Sequence, residues 1–408
     1  MLSLYEFRTM NGPLPVMAVV DERLSTTTVC LASKYGSRDD PAQECGLAHV
    51  LEHVLMSAPV GSVPSFSEYV ERLGGHANAE TGLDRMLFYA QVHADDAEEI
   101  TGLLQHAVLR PRWNETTLPQ EKAAVFQELA AAAADPSDVV QDAFLDHLFP
   151  GHPLGRPVGG TRGTVGAFDV SSMAAGHRDR LLTADLSLIV VGPSVPAAAD
   201  PLVAGVPAEA LARLGTAERD LASLPAPGPG RPVPWPDEFA WVCAGARSVG
   251  NHDPRRPHFN VLAQLLGSSP SSMLYRRLRG EAGLAYAFQS WNRGYGETGA
   301  WRVLAGVDSG NGDAALAVIR GALEEIAADG PKPDDLESAR RQAQMRIYTS
   351  VDTPLECARF LALRSGGPVG WSPAAEVANI ASVGVEDLRA AAAHVLSGWR
   401  AVVRPEAR

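Results

Sequence analysis

The order of secondary-structure signals runs twice along this chain of 408 residues, and that repeat constrains the fold more than any other feature. Residues 221–238 read Leu-Ala-Ser-Leu-Pro-Ala-Pro-Gly-Pro-Gly-Arg-Pro-Val-Pro-Trp-Pro-Asp-Glu. Proline lacks an N–H and fixes φ, so this stretch suits neither a helix nor a central strand and predicts an extended linker. Before it, hydrophobic patterning predicts strands at 16–21, 26–33, 77–81, 85–93 and 186–191. Helices are expected between them at 46–57, 65–73, 95–109 and 121–133. After it come expected strands at 240–249, 284–291, 301–307 and 400–403. The accompanying helices are 259–266, 271–279, 313–327, 334–349, 354–365 and 385–396. A chain this long outgrows one core. The expected division is a domain at 1–220, a linker at 221–238 and a second domain at 239–408. The fold class is α+β: two similar halves, each a mostly antiparallel sheet with helices packed on one face.

The chemistry concentrates in His49-Val50-Leu51-Glu52-His53. Residues four apart share a helix face, so the two imidazoles can converge on one metal ion. Glu52 stands beside the same point. The flanking Cys45-Gly46-Leu47-Ala48 and Val54-Leu55-Met56 are apolar. Polar groups on so apolar a helix need compensation, and zinc supplies it. The alternative is a histidine pair on a solvated face. A catalytic zinc needs a third protein ligand. Glu121 and Glu128, two turns apart on a second helical stretch, are the carboxylates in view.

These residues resemble the pitrilysin/insulinase-type metallopeptidases, inverted zinc peptidases whose family includes the mitochondrial processing peptidase. The family motif is H-x-x-E-H followed by a ligand Glu in a stretch like E-x-x-x-V-x-x-E. Here that stretch is 121–128, and 74 residues separate His53 from Glu128. Further likeness lies in Gly-Ser-Arg-Asp-Asp-Pro at 36–41, in Gly74-Gly75 ahead of Asn78-Ala79, and in His-Pro-Leu-Gly-Arg at 152–156. The resemblance implies zinc on His49, His53 and Glu128, with Glu52 as the general base. It places Glu121 behind a ligand histidine, where a plain surface carboxylate is the other reading. It also implies that peptides add to the strand around Asn78 and Ala79, although Gly74-Gly75 alone is compatible with an ordinary turn.

In the second half, Arg-Arg-Leu-Arg-Gly-Glu-Ala-Gly-Leu-Ala-Tyr at 276–286 is similar to a family stretch that lends an Arg and a Tyr to the substrate. By that likeness Arg279 and Tyr286 stabilise the oxyanion and hold peptide carbonyls. The competing reading makes Arg279 a helix C-terminal cation and Tyr286 a core aromatic. Glu281 stands where the family often has a basic residue, a departure that bears on subsite preference. Overlaying the halves sets His49 and His53 on Asn260 and Gln264, and Glu121 and Glu128 on Glu337 and Gln344. Amides are poor zinc ligands, so one zinc is expected, in the first half, with the second half binding substrate. The family arrangement is a clamshell whose enclosed chamber takes peptides or unfolded polypeptides. The expected activity is that of a zinc metalloendopeptidase.

Composition sets the remaining bounds. A net charge of −13 argues against nucleic acid as a partner, and the peptide substrate expected as partner is what the resemblance implies. No run approaches the ~18 apolar residues of a membrane span. The start lacks a basic-then-apolar signal pattern. Cys30, Cys45, Cys243 and Cys357 are scattered, as in a reducing compartment, and the expected location is the cytoplasm. A homodimer or a pairing with a related subunit fits the family. The alternative function is a non-catalytic scaffold or substrate-presenting subunit, but such relatives usually lose part of the zinc motif. A structural zinc site would want four protein ligands, and three are found.

Overall fold

The computed structural model describes residues 6–217, 223–226, 228, 239–267, 269–364 and 371–404. Most of the stretch 221–238 expected as a linker lies outside the described residues. The first half supplies strands β1 (Glu6–Met10), β2 (Val16–Val20), β3 (Thr26–Ser33), β4 (His76–Thr81), β5 (Met86–His93) and β6 (Leu186–Gly192). Its helices are α1 (Leu47–Ser57), α2 (Phe66–Arg72), α3 (Ala97–Leu109), α4 (Thr117–Ala134), α5 (Pro136–Leu148), α6 (Arg162–Ala167), α7 (Val170–Asp179) and the short α8 (Ala208–Leu211). The second half supplies strands β7 (Phe239–Val249), β8 (Ala285–Gly294), β9 (Thr298–Asp308) and β10 (Arg400–Arg404). Its helices are α9 (Arg256–Leu266), α10 (Gly312–Asp329), α11 (Pro333–Thr349), α12 (Pro354–Ala362), α13 (Pro373–Ala381) and α14 (Val385–Ser397).

These elements form two compact units, and neither is a continuous stretch of sequence. One comprises Met1–Leu129, Pro157–Asp220 and Tyr348–Gly367; the other comprises Ala130–Arg156, Leu221–Ile347 and Pro368–Arg408. Each unit therefore takes one segment from the opposite half of the sequence. The first unit takes α12, and the second takes α5. Each of these helices directly follows the long helix of its own half, α11 or α4, and both begin at a proline.

The first unit is built on a six-stranded sheet in the order β1-β2-β6-β3-β5-β4. Every neighbouring pair is antiparallel except β2 with β6. The central strand β3 is buried from Thr27 to Ser33, as expected of a strand covered on both faces. Adjacent β4 residues show what covers each face, because successive side chains point to opposite sides. Thr81 bonds to Glu52 of α1, whereas Glu80 pairs with Arg359 of α12. Helices α1, α2 and α3 thus hold the first face, while α12 packs against β3, β5 and β6 on the other. Cys357, Ala358, Leu361 and Ala362 of α12 are all buried. Among the described residues β4 pairs only with β5, so its outer edge is free.

The second unit carries a four-stranded antiparallel sheet in the order β10-β7-β9-β8. Alternation along β7 and β9 turns Val242, Ala244, Val303 and Ala305 toward α9, α10 and α14. Helix α5 packs on β7 and β10. Strand β8 forms an edge, and its register shifts between Ala285 and Ala287, leaving Tyr286 at a bulge.

Candidate metal centre

Helix α1 exists because nearly every residue but its polar stripe is apolar and buried. Leu47, Ala48, Val50, Leu51, Val54, Leu55 and Met56 pack inward, leaving His49, Glu52 and His53 on the remaining face. The start of the helix is fixed from two directions. The Asp40 carboxylate, itself buried, accepts from the N–H of Gly46 at 3.0 Å and of Ala48 at 3.2 Å, and from the Tyr35 hydroxyl at 2.6 Å. An anion at a helix N-terminus also suits the helix dipole. On the other side, the chain at Gly159-Gly160 lies against the first turn. Gly46 has φ of 95° and Gly160 has φ of 73°; a Cβ on Gly160 would stand 2.2 Å from the Cys45 carbonyl oxygen. Only glycine tolerates both the left-handed backbone and that approach. These paired glycines, which lack the context of a phosphate loop, instead pack the zinc-motif helix.

Helix α4 brings the carboxylates. Glu128 Oε2 lies 3.3 Å from His49 Nε2 and 3.4 Å from His53 Nε2. Ligand atoms of His49, His53 and Glu128 all fall within 4.8 Å of one another, the one such convergence among the described residues. Glu121, two turns earlier, takes His53 Nδ1 at 3.1 Å. That bond sets the ring so that Nε2 faces Glu128. Two imidazole nitrogens and one carboxylate, with no fourth protein group among the described residues, fit the donor set of an open zinc site.

The electrostatics follow from burial and neighbours. Burial, reinforced by the nearby His53, pushes the His49 pKa down to about 4, against the pull of Glu128. Burial acts the same way on His53, but the Glu121 bond and the charges of Glu128 and Glu52 outweigh it and raise its pKa. The Glu121 carboxyl is held below its usual range by the same bond. Burial raises the Glu52 pKa, although the hydrogen bond from the Thr81 hydroxyl opposes it.

The remaining sequence-predicted residues take these places. Asn78 and Ala79 lie on the edge strand β4, where Asn78 Oδ1 accepts the Ala79 N–H at 2.9 Å. Arg279 and Tyr286 belong to the second unit. Arg279 sits in a π-helical segment, Tyr275–Glu281, and its guanidinium stacks 4.4 Å over the Tyr286 ring and 5.0 Å over the Tyr275 ring. Tyr286 is 80% exposed, which excludes a place in the core. At the positions overlaid on His49, Glu128 and Glu121, Asn260 bonds to Asn292, Gln344 to the Val377 carbonyl and Glu337 to Arg341, all within the second unit.

A family model described as insulinase (peptidase family M16) matches residues 16–162, and the peptidase M16 inactive domain matches residues 182–343. The chain belongs to the M16 peptidases. An uncharacterized zinc protease of Streptomyces coelicolor is 28% identical over 404 residues, covering 95% of this chain and 86% of that protein. One from Mycobacterium bovis is 30% identical over 331 residues, covering 79% and 74%. Among solved structures, a protease from Helicobacter pylori superimposes with a TM-score of 0.80 at 18% identity, over 98% of both chains, a likeness of fold. The M16 match over the first half contains His49, Glu52, His53 and Glu128; the inactive-domain match contains Arg279 and Tyr286.

Sequence reasoning missed Thr81 and Asp40. Thr81 is 29 residues from Glu52, and Asp40 is six residues ahead of Gly46, which precedes the helix it holds. No local pattern links either one to the motif. The one available signal for Asp40 was its place in the family-like stretch at 36–41.

Proposed function

We propose that this M16 chain is a zinc-dependent endopeptidase that hydrolyses peptides or unfolded polypeptides. The observation that carries the reading is one helix face on which two imidazoles converge with Glu128 while the half-buried Glu52 carboxylate stands next to them. His49, His53 and Glu128 would hold the metal. Zinc, when bound, supplies Lewis-acid polarisation of the reacting oxygens. Glu52 accepts the proton of the attacking water and returns it to the leaving amine. Thr81 keeps that carboxylate in place, and Glu121 keeps the His53 ring in place. The substrate lies along the free edge of β4 as an added strand. A peptide carbonyl there takes over the Ala79 N–H that Asn78 now occupies. Arg279 and Tyr286 are assigned the carbonyl and oxyanion contacts, for which a guanidinium and a phenol are suited donors. A scaffold role is the alternative, and the complete His-Glu-His set with Glu128 weighs against it.

The test is a peptide library incubated with the zinc-loaded protein and with Glu52→Gln, with cleavage sites mapped by mass spectrometry. Gln keeps the shape and removes the proton acceptor, so the variant should retain zinc and lose at least ~10²-fold in rate. Turnover by Glu52→Gln near the wild-type rate would remove Glu52 from the mechanism. No cleavage by the wild type would favour the scaffold.

A further inference from the structure

We propose that Arg359, carried on α12 from the second half of the sequence, is a positioning residue for β4 and through it for the Thr81–Glu52 contact. The proposal rests on the peptidase reading of that site.

Strand β4 is an edge strand of its sheet, with ladder bonds on one side only. Yet it carries Asn78 and Ala79 and ends at Thr81, so small tilts of it reach the substrate platform and the Glu52 carboxylate together. Helix α12 grips this hairpin at two points. Arg359 Nη2 lies 2.6 Å from Glu80 Oε1, one residue from Thr81, and its Nη1 lies 2.8 Å from Glu356 Oε1 on its own helix. The Tyr89 hydroxyl of β5 donates to the same Glu80 oxygen at 3.0 Å, and the guanidinium also lies 5.7 Å from the Tyr89 ring. At the turn between β4 and β5, Arg85 Nη1 donates to the Ala362 carbonyl at 2.8 Å, at the last residue of α12. The turn itself is closed by Gly82 N–H on the Arg85 carbonyl at 2.9 Å. Glu80 is thus held from two elements, and planar peptide geometry passes that restraint to Thr81.

The bland alternative is a surface ion pair. The Arg359 and Glu80 side chains are 34% and 37% exposed, and pairs of that kind contribute little to stability. The two readings therefore differ in what they predict. An ornamental pair leaves β4 dynamics and catalysis unchanged when it is removed. A positioning pair alters both while global stability stays put.

The experiment compares full-length, zinc-loaded wild type with Arg359→Met, Arg359→Lys, Glu80→Gln and the Arg359→Met/Glu80→Gln double variant. Amide exchange of residues 76–81 is followed by mass spectrometry, and kcat and KM are measured on a cleaved peptide. In Arg359→Met, exchange in 76–81 should quicken by about tenfold without a change in melting temperature. Its kcat should fall by about tenfold while KM moves much less, the cost of a slightly misaligned reacting group. Arg359→Lys keeps one charged bond and should recover part of both losses. The double variant should be no worse than Arg359→Met, since both changes break one contact. Wild-type exchange and kcat in Arg359→Met would overturn the proposal while leaving the peptidase reading intact. A wild type without turnover would overturn the peptidase reading, and the exchange of residues 76–81 would then decide the positioning role alone. An Arg359→Met variant that does not fold would pass the decision to Arg359→Lys and Glu80→Gln, read in the same way.

Discussion

His177 shows how one buried imidazole sets an acid limit on this fold. Its Nε2–H donates to the Val108 carbonyl at 2.7 Å, and its ring meets Trp113 edge-on at 5.5 Å. Burial, with a smaller push from Arg213, lowers its pKa from 6.5 to about 4. Between those two values the unfolded chain binds the proton and the folded chain does not, so stability is full above pH 6.5 and falls as the pH drops toward 4. The loss from this group is on the order of a few kcal/mol. Urea melts of wild type and His177→Gln across that window should show a shallower pH slope in the variant; equal slopes would acquit His177. The convergence of His49 and His53 was legible in the sequence because i, i+4 spacing dictates a shared helix face. Glu128 was legible only through the family motif, since nothing local says that α4 meets α1. Thr81 and Asp40 were illegible for a related reason: each acts through a fold-made contact that no period in the sequence encodes.

Among elements, α1 is the part whose placement everything else serves. Its apolar stripe predicts a buried helix, but its register against α4 is set at its start, where Asp40 takes two N–H groups and Gly160 touches the Cys45 carbonyl. Gly160→Ala would put a Cβ 2.2 Å from that oxygen at a φ of 73°. The expected cost is about 2–4 kcal/mol from strain and displaced packing, read as a lower denaturation midpoint. Zinc affinity should fall with it, as the first turn carries His49. A variant with wild-type midpoint and affinity would mean that the loop yields freely. The strands of both sheets were largely readable from alternation. Strand β1 escaped because Glu-Phe-Arg-Thr-Met is short and polar, and α13 escaped because its nine residues follow the glycine- and proline-bearing sequence Gly366-Gly367-Pro368-Val369-Gly370. For α12 the apolar face was evident. Its destination was not, because an amphipathic helix declares that it must be covered, not which sheet covers it.

Across the whole molecule, the two halves of the sequence are not two independent bodies, because each unit borrows a helix. A fragment of residues 1–220 keeps every proposed zinc ligand but lacks α12. Phe360 and Leu361, both buried, would each forgo about 1.5–3 kcal/mol, a large share of the roughly 5–15 kcal/mol that stabilises a domain. The fragment should therefore show no cooperative urea transition, and a peptide spanning 348–367 added in trans should restore one; a fragment that melts cooperatively alone would refute this. Three side chains, His49, His53 and Glu128, meet at one point. Metal analysis of the purified full-length protein, beside His53→Ala and Glu128→Ala, tests that directly. One zinc per chain in the wild type and its loss from both variants is the predicted result. Two zincs per chain, or an undiminished zinc content in His53→Ala, would contradict it.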